Sequence, residues 1–430
     1  MHNDLRQHLR HNFIVNVMDG GFFGIALGVA SFITVIPLFV ATLTDNTAII
    51  GLVSTLHLAG WQLPQLLTAQ RVARLPRYKP MVLLMTIQER LPFLLLALVA
   101  LLIPTIGREA ALILTLILLT WQGIGGGLSA TPWQSMVAKI MPLDMRGTFY
   151  GSQSSAAATF STGGALLAGI ILGGLSQPFN YALCFFIAFI GMMVSYGFLA
   201  WTREPAVPPS EEHRHPPTTA AFVARLGLIL KQDVNFRWFI LARIFAQIAA
   251  VGAAFYTIYA TRRFEMSEEL AGVMTAVLMI AQIVANVGLG WLGDRWGHRA
   301  TLALGILLTG IAAGVAMFAP SINWFYLVFA LAGVATATLW TNINTLTSEF
   351  GVPAERPYYI ALANTCAAPA TLLTPILGGW LADAAGFGAT FTLGIVASLL
   401  TVTVLTLFVR DPHYAPPAAA PLATAHAAGD

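Results

Sequence analysis

Charge is scarce in this sequence. Asp, Glu, Lys and Arg make up 10% of its 430 residues, against 57% hydrophobic ones, and mean hydropathy is +0.74. A water-soluble protein of this length needs far more charge to cover its surface, so a soluble globular fold is excluded. Cysteine is scarcer still: Cys184 and Cys366 are the two in the chain, and both fall in apolar runs. That excludes a disulfide framework and a thiolate metal centre. A phosphate-binding glycine loop and a metal-ligand cluster are missing too. No metal, cofactor, nucleic-acid partner, ATP-driven cycle or enzymatic reaction is therefore expected of this chain.

What the sequence does have is apolar length. Twelve spans can be drawn, at 13–41, 48–69, 80–104, 110–138, 149–175, 179–201, 236–260, 269–291, 300–319, 324–346, 358–381 and 388–409. About 20 residues of helix cross the hydrocarbon, so each is long enough, and the fold class is an all-α membrane protein. With both termini in the cytoplasm, seventeen of the 22 Lys and Arg residues fall on the inner side. Three (Arg108, Arg262 and Arg263) fall outside, and two (Arg90 and Arg243) lie within spans. This bias obeys the positive-inside rule and sets the expected orientation in the cytoplasmic membrane. The polar, basic start "MHNDLRQHLRHN" reads as an uncleaved cytoplasmic segment.

Residues 1–201 and 236–410 form two blocks of six spans each, joined by a polar stretch over 202–235. The Pro-rich beginning of that stretch reads as flexible linker, and "AAFVARLGLILKQ" as an amphipathic helix on the inner membrane face. Residues 411–430, rich in Ala and Pro, read as a disordered tail. The blocks repeat. A shift of 210 residues lays Gly123 on Gly333, Thr131 on Thr341, Gln134 on Asn344, Arg146 on Arg356 and Gly169 on Gly379.

The sharpest motif is "GWLGDRWGHR", Gly290 to Arg299, between the eighth and ninth spans. With "PLDMRGTFYG" (142–151) and "TPILGGWLAD" (374–383), it resembles the motifs of the major facilitator superfamily. The resemblance runs along nearly the whole chain. It implies two six-helix bundles related as parallel repeats, and transport of a small solute by alternating access. It also implies a charge network around Asp294, with Arg295, Arg299, Arg356, Glu349 and Arg146 as its other members, that breaks as the bundles rock. The alternative is that Asp294 only fixes topology. Two departures stand out. "WQGIGGG" (121–127) has Leu119 where proton-coupled members carry an arginine, and the loop "QLLTAQRVARLPRYKP" lacks the Asp and glycines of its counterpart.

Ionisable side chains inside spans are costly and need a reason. By the helical rise, Asp19 lies about 10 Å in from Asn12 and Arg243 about 12 Å in from Asn235. The two could pair as an inner gate, or each could pair within its own bundle. His57 and Glu89 lie about 14–15 Å in, near the midplane. Carboxyl groups out of water favour the neutral form and imidazole titrates near neutrality. Glu89, His57 and Asp19 are thus the proton-coupling candidates, and bracing hydrogen bonds are the alternative. Residues i and i+1 point about 100° apart on a helix, so Glu89 and Arg90 are poorly placed to satisfy one another. His57 is the expected partner for Glu89 and Asp19 a possible one for Arg90.

Neutral polar and aromatic residues supply candidates for a solute cavity: Trp61 and Gln62, Trp121, Gln122, Trp133 and Gln134, Gln282 and Asn286, and Trp340, Asn342 and Asn344. Amides and indoles suit an amphipathic or neutral solute, although interhelical hydrogen bonding explains the same residue types. The expectation is a secondary transporter, proton-coupled and monomeric in the lipid bilayer, exporting amphipathic compounds. Uptake of a neutral sugar-like metabolite is the alternative within transport. Lipid or pigment handling on the same fold stands outside it.

Overall fold

Proline and glycine decide where the apolar runs bend. The structure, a computed structural model, describes residues 2–207, 219–266 and 268–412. The Pro-rich 208–218 of the expected linker and the expected disordered tail from 413 onward lie outside the described residues. Ten of the described helices are long and apolar enough to cross a membrane. The difference from twelve has two local causes. Helix α5 (Lys79–Ile140) holds the third and fourth spans, turned at Gly107, whose φ of 81° and ψ of 163° leave the helical region. The second span is divided into α3 (Thr47–Gln62) and α4 (Gln65–Val72). Pro64, between them, has no N–H to give the helical ladder, and Gln65 Nε2 donates to the Trp61 carbonyl at 2.9 Å beside the break.

The first span of each half is also interrupted. Helix α1 (His2–Val29) is followed by the short α2 (Val35–Ala41), and Ser31 Oγ accepts from Ile33 N and Thr34 N at the bend. Helices α6 (Arg146–Gly174) and α7 (Phe179–Trp201) complete the first six spans. In the second half, α8 (Thr219–Gln232) precedes α9 (Val234–Ala249), a 3₁₀ turn at Ala250–Ala254 and α10 (Tyr256–Phe264). Five long helices follow: α11 (Glu268–Trp296), α12 (His298–Phe318), α13 (Trp324–Thr347), α14 (Arg356–Ala385) and α15 (Phe387–Leu407).

The chain divides into two compact units, 1–141 with 153–208, and 142–152 with 209–430. The first unit packs α1, α3, α5 and α7 around Phe39, Phe93 and Phe185, which are fully buried. Large apolar side chains also cover the outside, as at Leu166 and Ile170 of α6, which suits hydrocarbon rather than water. The second unit centres on Tyr256, Phe325 and Phe391. Helix α8 is tied to protein here: Arg225 pairs with Glu355 at 2.9 Å and lies over the Tyr358 ring, and Ile229 is buried.

The internal repeat has a physical counterpart in each unit. In the first, a Cβ on Gly123 would lie 2.8 Å from the Leu56 carbonyl oxygen and 3.2 Å from Gly60 Cα. In the second, a Cβ on Gly333 would meet the Leu278 carbonyl oxygen and lie 3.0 Å from Gln282 N. Only glycine allows backbones this close. About two turns further along each helix pair a hydroxyl crosses over: Thr131 Oγ1 donates to the Gln65 carbonyl at 3.2 Å, and Thr341 Oγ1 to Asn286 Oδ1 at 2.9 Å.

A valine at Gly60 would drive its Cβ to within 2.6 Å of the Gly123 backbone, whereas nothing lies within 4 Å of a Cβ at Gly169. Gly60→Val is expected to cost about 1–3 kcal/mol through overpacking. Gly169→Ala should be neutral or stabilising by up to about 1 kcal/mol. Detergent-solubilised melting curves compare the two; equal melting points would refute the close-packing account.

Candidate functional site

Three groups of buried polar side chains stand out, one in the first unit and two in the second. In the first, Arg90 is 2% exposed and must satisfy its guanidinium without water. Its Nε donates to the Met192 carbonyl at 2.9 Å and its Nη2 to Ser195 Oγ at 2.9 Å. Nη1 donates to the Thr86 carbonyl at 3.1 Å and to the Thr86 hydroxyl. Ser195 Oγ in turn donates to Asp19 Oδ1 at 2.6 Å, which stands 3.8 Å from Arg90 Nη2. The rings of Phe23 and Tyr196 lie beside the guanidinium, 5.8 and 5.7 Å away. The Glu89 carboxyl is buried next to Gly126, with the Ser129 hydroxyl as a hydrogen-bond partner. Two carboxyl groups thus share the field of one guanidinium, an arrangement in which a proton can be held or released.

His57 joins a different partner from the one expected. Its Nδ1 lies 2.9 Å from Gln122 Oε1, and its ring stacks on Phe32 at 4.0 Å; Glu89 is not its hydrogen-bond partner. The helical rise sets how far along its helix each residue lies but does not fix which way each helix face turns. Asp19 and Arg243, matched in depth, each find their ligands inside their own unit. Arg243 Nη1 donates to Thr347 Oγ1 at 3.1 Å and Nη2 to Asn364 Oδ1 at 2.5 Å.

The second group of the second unit surrounds Asp294. The Asp294 oxygens accept from Gly147 N at 2.7 Å and Thr148 N at 2.6 Å. These N–H groups open α6, where a carboxylate is favoured by both the orphan donors and the helix dipole. His298 Nε2 stands 3.2 Å from Asp294 Oδ1 and 3.5 Å from Glu349 Oε1. Arg146 lies near Glu349 and bonds the Ser348 carbonyl, while Arg356 lies near Tyr150. The glycines of the motif serve close approach, with Gly290 and Gly147 touching backbone to backbone. Arg295 lies over Trp291, 3.9 Å from the ring. Arg299 ties down the chain after α15, donating to the Val409 carbonyl at 2.8 Å, and so stands outside the Asp294 cluster.

Of the cavity candidates, Gln122 bonds His57 and Asn286 accepts from Thr341, so both link helices. Trp121 Nε1 donates to Gln88 Oε1 at 3.0 Å. Gln62, Gln134, Asn342 and Asn344 are buried, Trp61, Trp133 and Gln282 are half-buried, and Trp340 is exposed. Sequence reasoning missed Thr86, Ser195, Gln88 and His298. Thr86 was legible four residues before Arg90 and His298 within the motif itself; Ser195 carried no signal.

The fold has known counterparts. A family model described as Major Facilitator Superfamily matches residues 245–428. The human organic anion transporter MFSD10 superposes with a TM-score of 0.72 at 16% identity, covering 92% of this chain and 99% of that one. The E. coli fucose:proton symporter FucP gives 0.74 at 14% identity over 93% and 98%. The second half of the chain thus matches the Major Facilitator Superfamily model, and the chain as a whole shares the fold of these transporters. Among curated relatives, the multidrug efflux pump LfrA of Mycolicibacterium smegmatis is 31% identical over 134 residues, 30% of this chain and 27% of that protein. Human protein spinster homolog 3 is 27% identical over 149 residues, 34% of this chain and 27% of that protein. The matched part of the chain thus spans about a quarter of the length of these relatives. Within the motif, the His298 imidazole stands between two carboxylates, those of Asp294 and Glu349.

The Arg90 cluster makes a measurable demand. Arg90→Met strands Asp19 and is expected to destabilise the protein by about 3–5 kcal/mol. Adding Asp19→Asn should restore part of that loss. A double-mutant cycle on thermal unfolding checks it, and strictly additive effects would show that the two groups do not interact.

Proposed function

We propose that this protein is a secondary transporter that moves a small organic solute across the cytoplasmic membrane by alternating access, driven by protons, with efflux of amphipathic compounds as the direction. Both termini face the cytoplasm in this reading, as the distribution of Lys and Arg supports. The observation that carries the coupling is the pair of buried carboxyl groups, Glu89 and Asp19, around the single Arg90 guanidinium. Asp19 is held through Ser195, whereas Glu89 has one hydroxyl partner in Ser129 and is the better placed to exchange a proton. A site that gains and loses charge within a bundle changes the stability of each conformer, which is what coupling requires.

The Asp294 cluster serves as the latch. Its hydrogen bonds to Gly147 N and Thr148 N hold the start of α6, and they must be given up if that segment moves. The solute side is supported by uncharged donors and rings, Trp121, Gln134, Trp340 and Asn344 among them, and by the efflux pump among the relatives. The fucose:proton symporter among the structural neighbours keeps uptake of a neutral solute as the competing reading.

Reconstitution in proteoliposomes distinguishes these. An imposed pH gradient should drive rhodamine 6G movement, and Glu89→Gln should cut the gradient-dependent rate at least about tenfold. Glu89→Gln protein that keeps its full response to the gradient would remove Glu89 from coupling. Movement of radiolabelled L-fucose without rhodamine 6G would favour uptake. Gradient-independent copurification of a lipid or pigment, with no movement of either probe, would overturn transport.

A further inference from the structure

The first unit contains a cavity that the transport reading does not use. It has a volume of about 710 Å³ and lies between the start of α1, the start of α5 and the end of α7. Its walls carry Arg77, Lys79, Arg203, His8 and His11, with Glu204 as the one carboxylate of the lining. That carboxylate is already spent. Glu204 accepts from Tyr78 N at 2.8 Å, Lys79 N at 2.7 Å and Lys139 Nζ at 2.9 Å, and its side chain is fully buried. The surplus in the cavity is positive.

The rim is built rather than loose. Asn12 exchanges two hydrogen bonds with the Arg203 backbone, both at 2.9 Å, and Asn16 Nδ2 reaches Thr202 Oγ1 at 3.0 Å. Lys79 Nζ donates to the Ala200 and Thr202 carbonyls, which fixes the ammonium at the mouth with one proton still to offer. His11 Nε2 faces the Trp201 carbonyl at 3.0 Å, and the Arg203 guanidinium reaches His8 Nδ1 at 3.4 Å. Arg77 and Arg203 are exposed, and Trp201, 64% exposed at the end of its span, stands at the edge. A tryptophan in that position marks the depth of lipid headgroups.

We infer that this cavity binds the phosphate of an anionic phospholipid of the inner leaflet, with the guanidinium groups of Arg77 and Arg203 and the Lys79 ammonium as donors and Trp201 beside the acyl chains. The volume suits a glycerophosphate headgroup. Two arginines recognise a phosphate diester well, and a choline headgroup would bring a second cation into a basic pocket. The placement on the inner leaflet rests on the orientation proposed above.

The test is native mass spectrometry of the full-length protein released from mixed micelles of phosphatidylglycerol and phosphatidylcholine. The expected result is preferential retention of phosphatidylglycerol. Retention should fall about fivefold for each of Arg77→Gln and Arg203→Gln, while Arg71→Gln, an exposed arginine outside the cavity, leaves it unchanged. Melting curves of the lipid-free variants confirm that both fold. Equal retention of the two lipids, or an equal loss in Arg71→Gln, would overturn the inference. Stabilisation by inorganic phosphate that also displaces the lipid would assign the cavity to a soluble anion and overturn it as well. Lipid selectivity without movement of either rhodamine 6G or L-fucose would count against the transport reading and leave this one standing; transport without lipid selectivity does the reverse.

Discussion

A guanidinium that leaves water must have its five N–H groups answered by the protein, and Arg90 sets that demand in the middle of the first unit. The answers come from two helices: Thr86 on its own α5, then Met192 and Ser195 on α7. Ser195 passes the interaction to Asp19 on α1. Three helices are thereby fixed in rotation and in height by one side chain, because a hydrogen bond tolerates far less displacement than apolar contact does. Lipid offers these helices little hydrophobic reason to associate, so such polar fixtures and close glycine contacts must supply specificity.

The two units solve the same problem with different chemistry. Glycine–backbone contact and a crossing threonine hydroxyl recur at Gly123 and Thr131, then at Gly333 and Thr341. The ionic centres do not recur. Arg90 is braced through a serine to a carboxylate, whereas Arg243 rests on the neutral Thr347 and Asn364. Helix starts are capped by carboxylates in both units, Glu204 at Tyr78 and Lys79, and Asp294 at Gly147 and Thr148. Repetition has kept the packing and changed the charges, as expected if packing holds the fold and charge does the work.

Spans and repeat were legible because they rest on local quantities: apolar length and fixed spacing. Position along each helix was legible for the same reason, since rise per residue is constant. Azimuth was not. His57 and Glu89 share a depth, yet His57 turns to Gln122 and Phe32. Asp19 and Arg243 share one too, yet their ligands are Ser195 and Asn364. Partners distant in sequence, such as Ser195 for Arg90, carry no spacing signal at all. Thr86 did, at four residues' distance on the same helix. The interruptions at Pro64 and Gly107 follow from single residues, but a hydropathy profile averages over them.

Gly107 turns two membrane-length helices back on themselves within one residue, with nothing packed against it. The hairpin it makes has almost no loop. At this turn an antibody, a protease or a soluble partner would find hardly any polypeptide to hold.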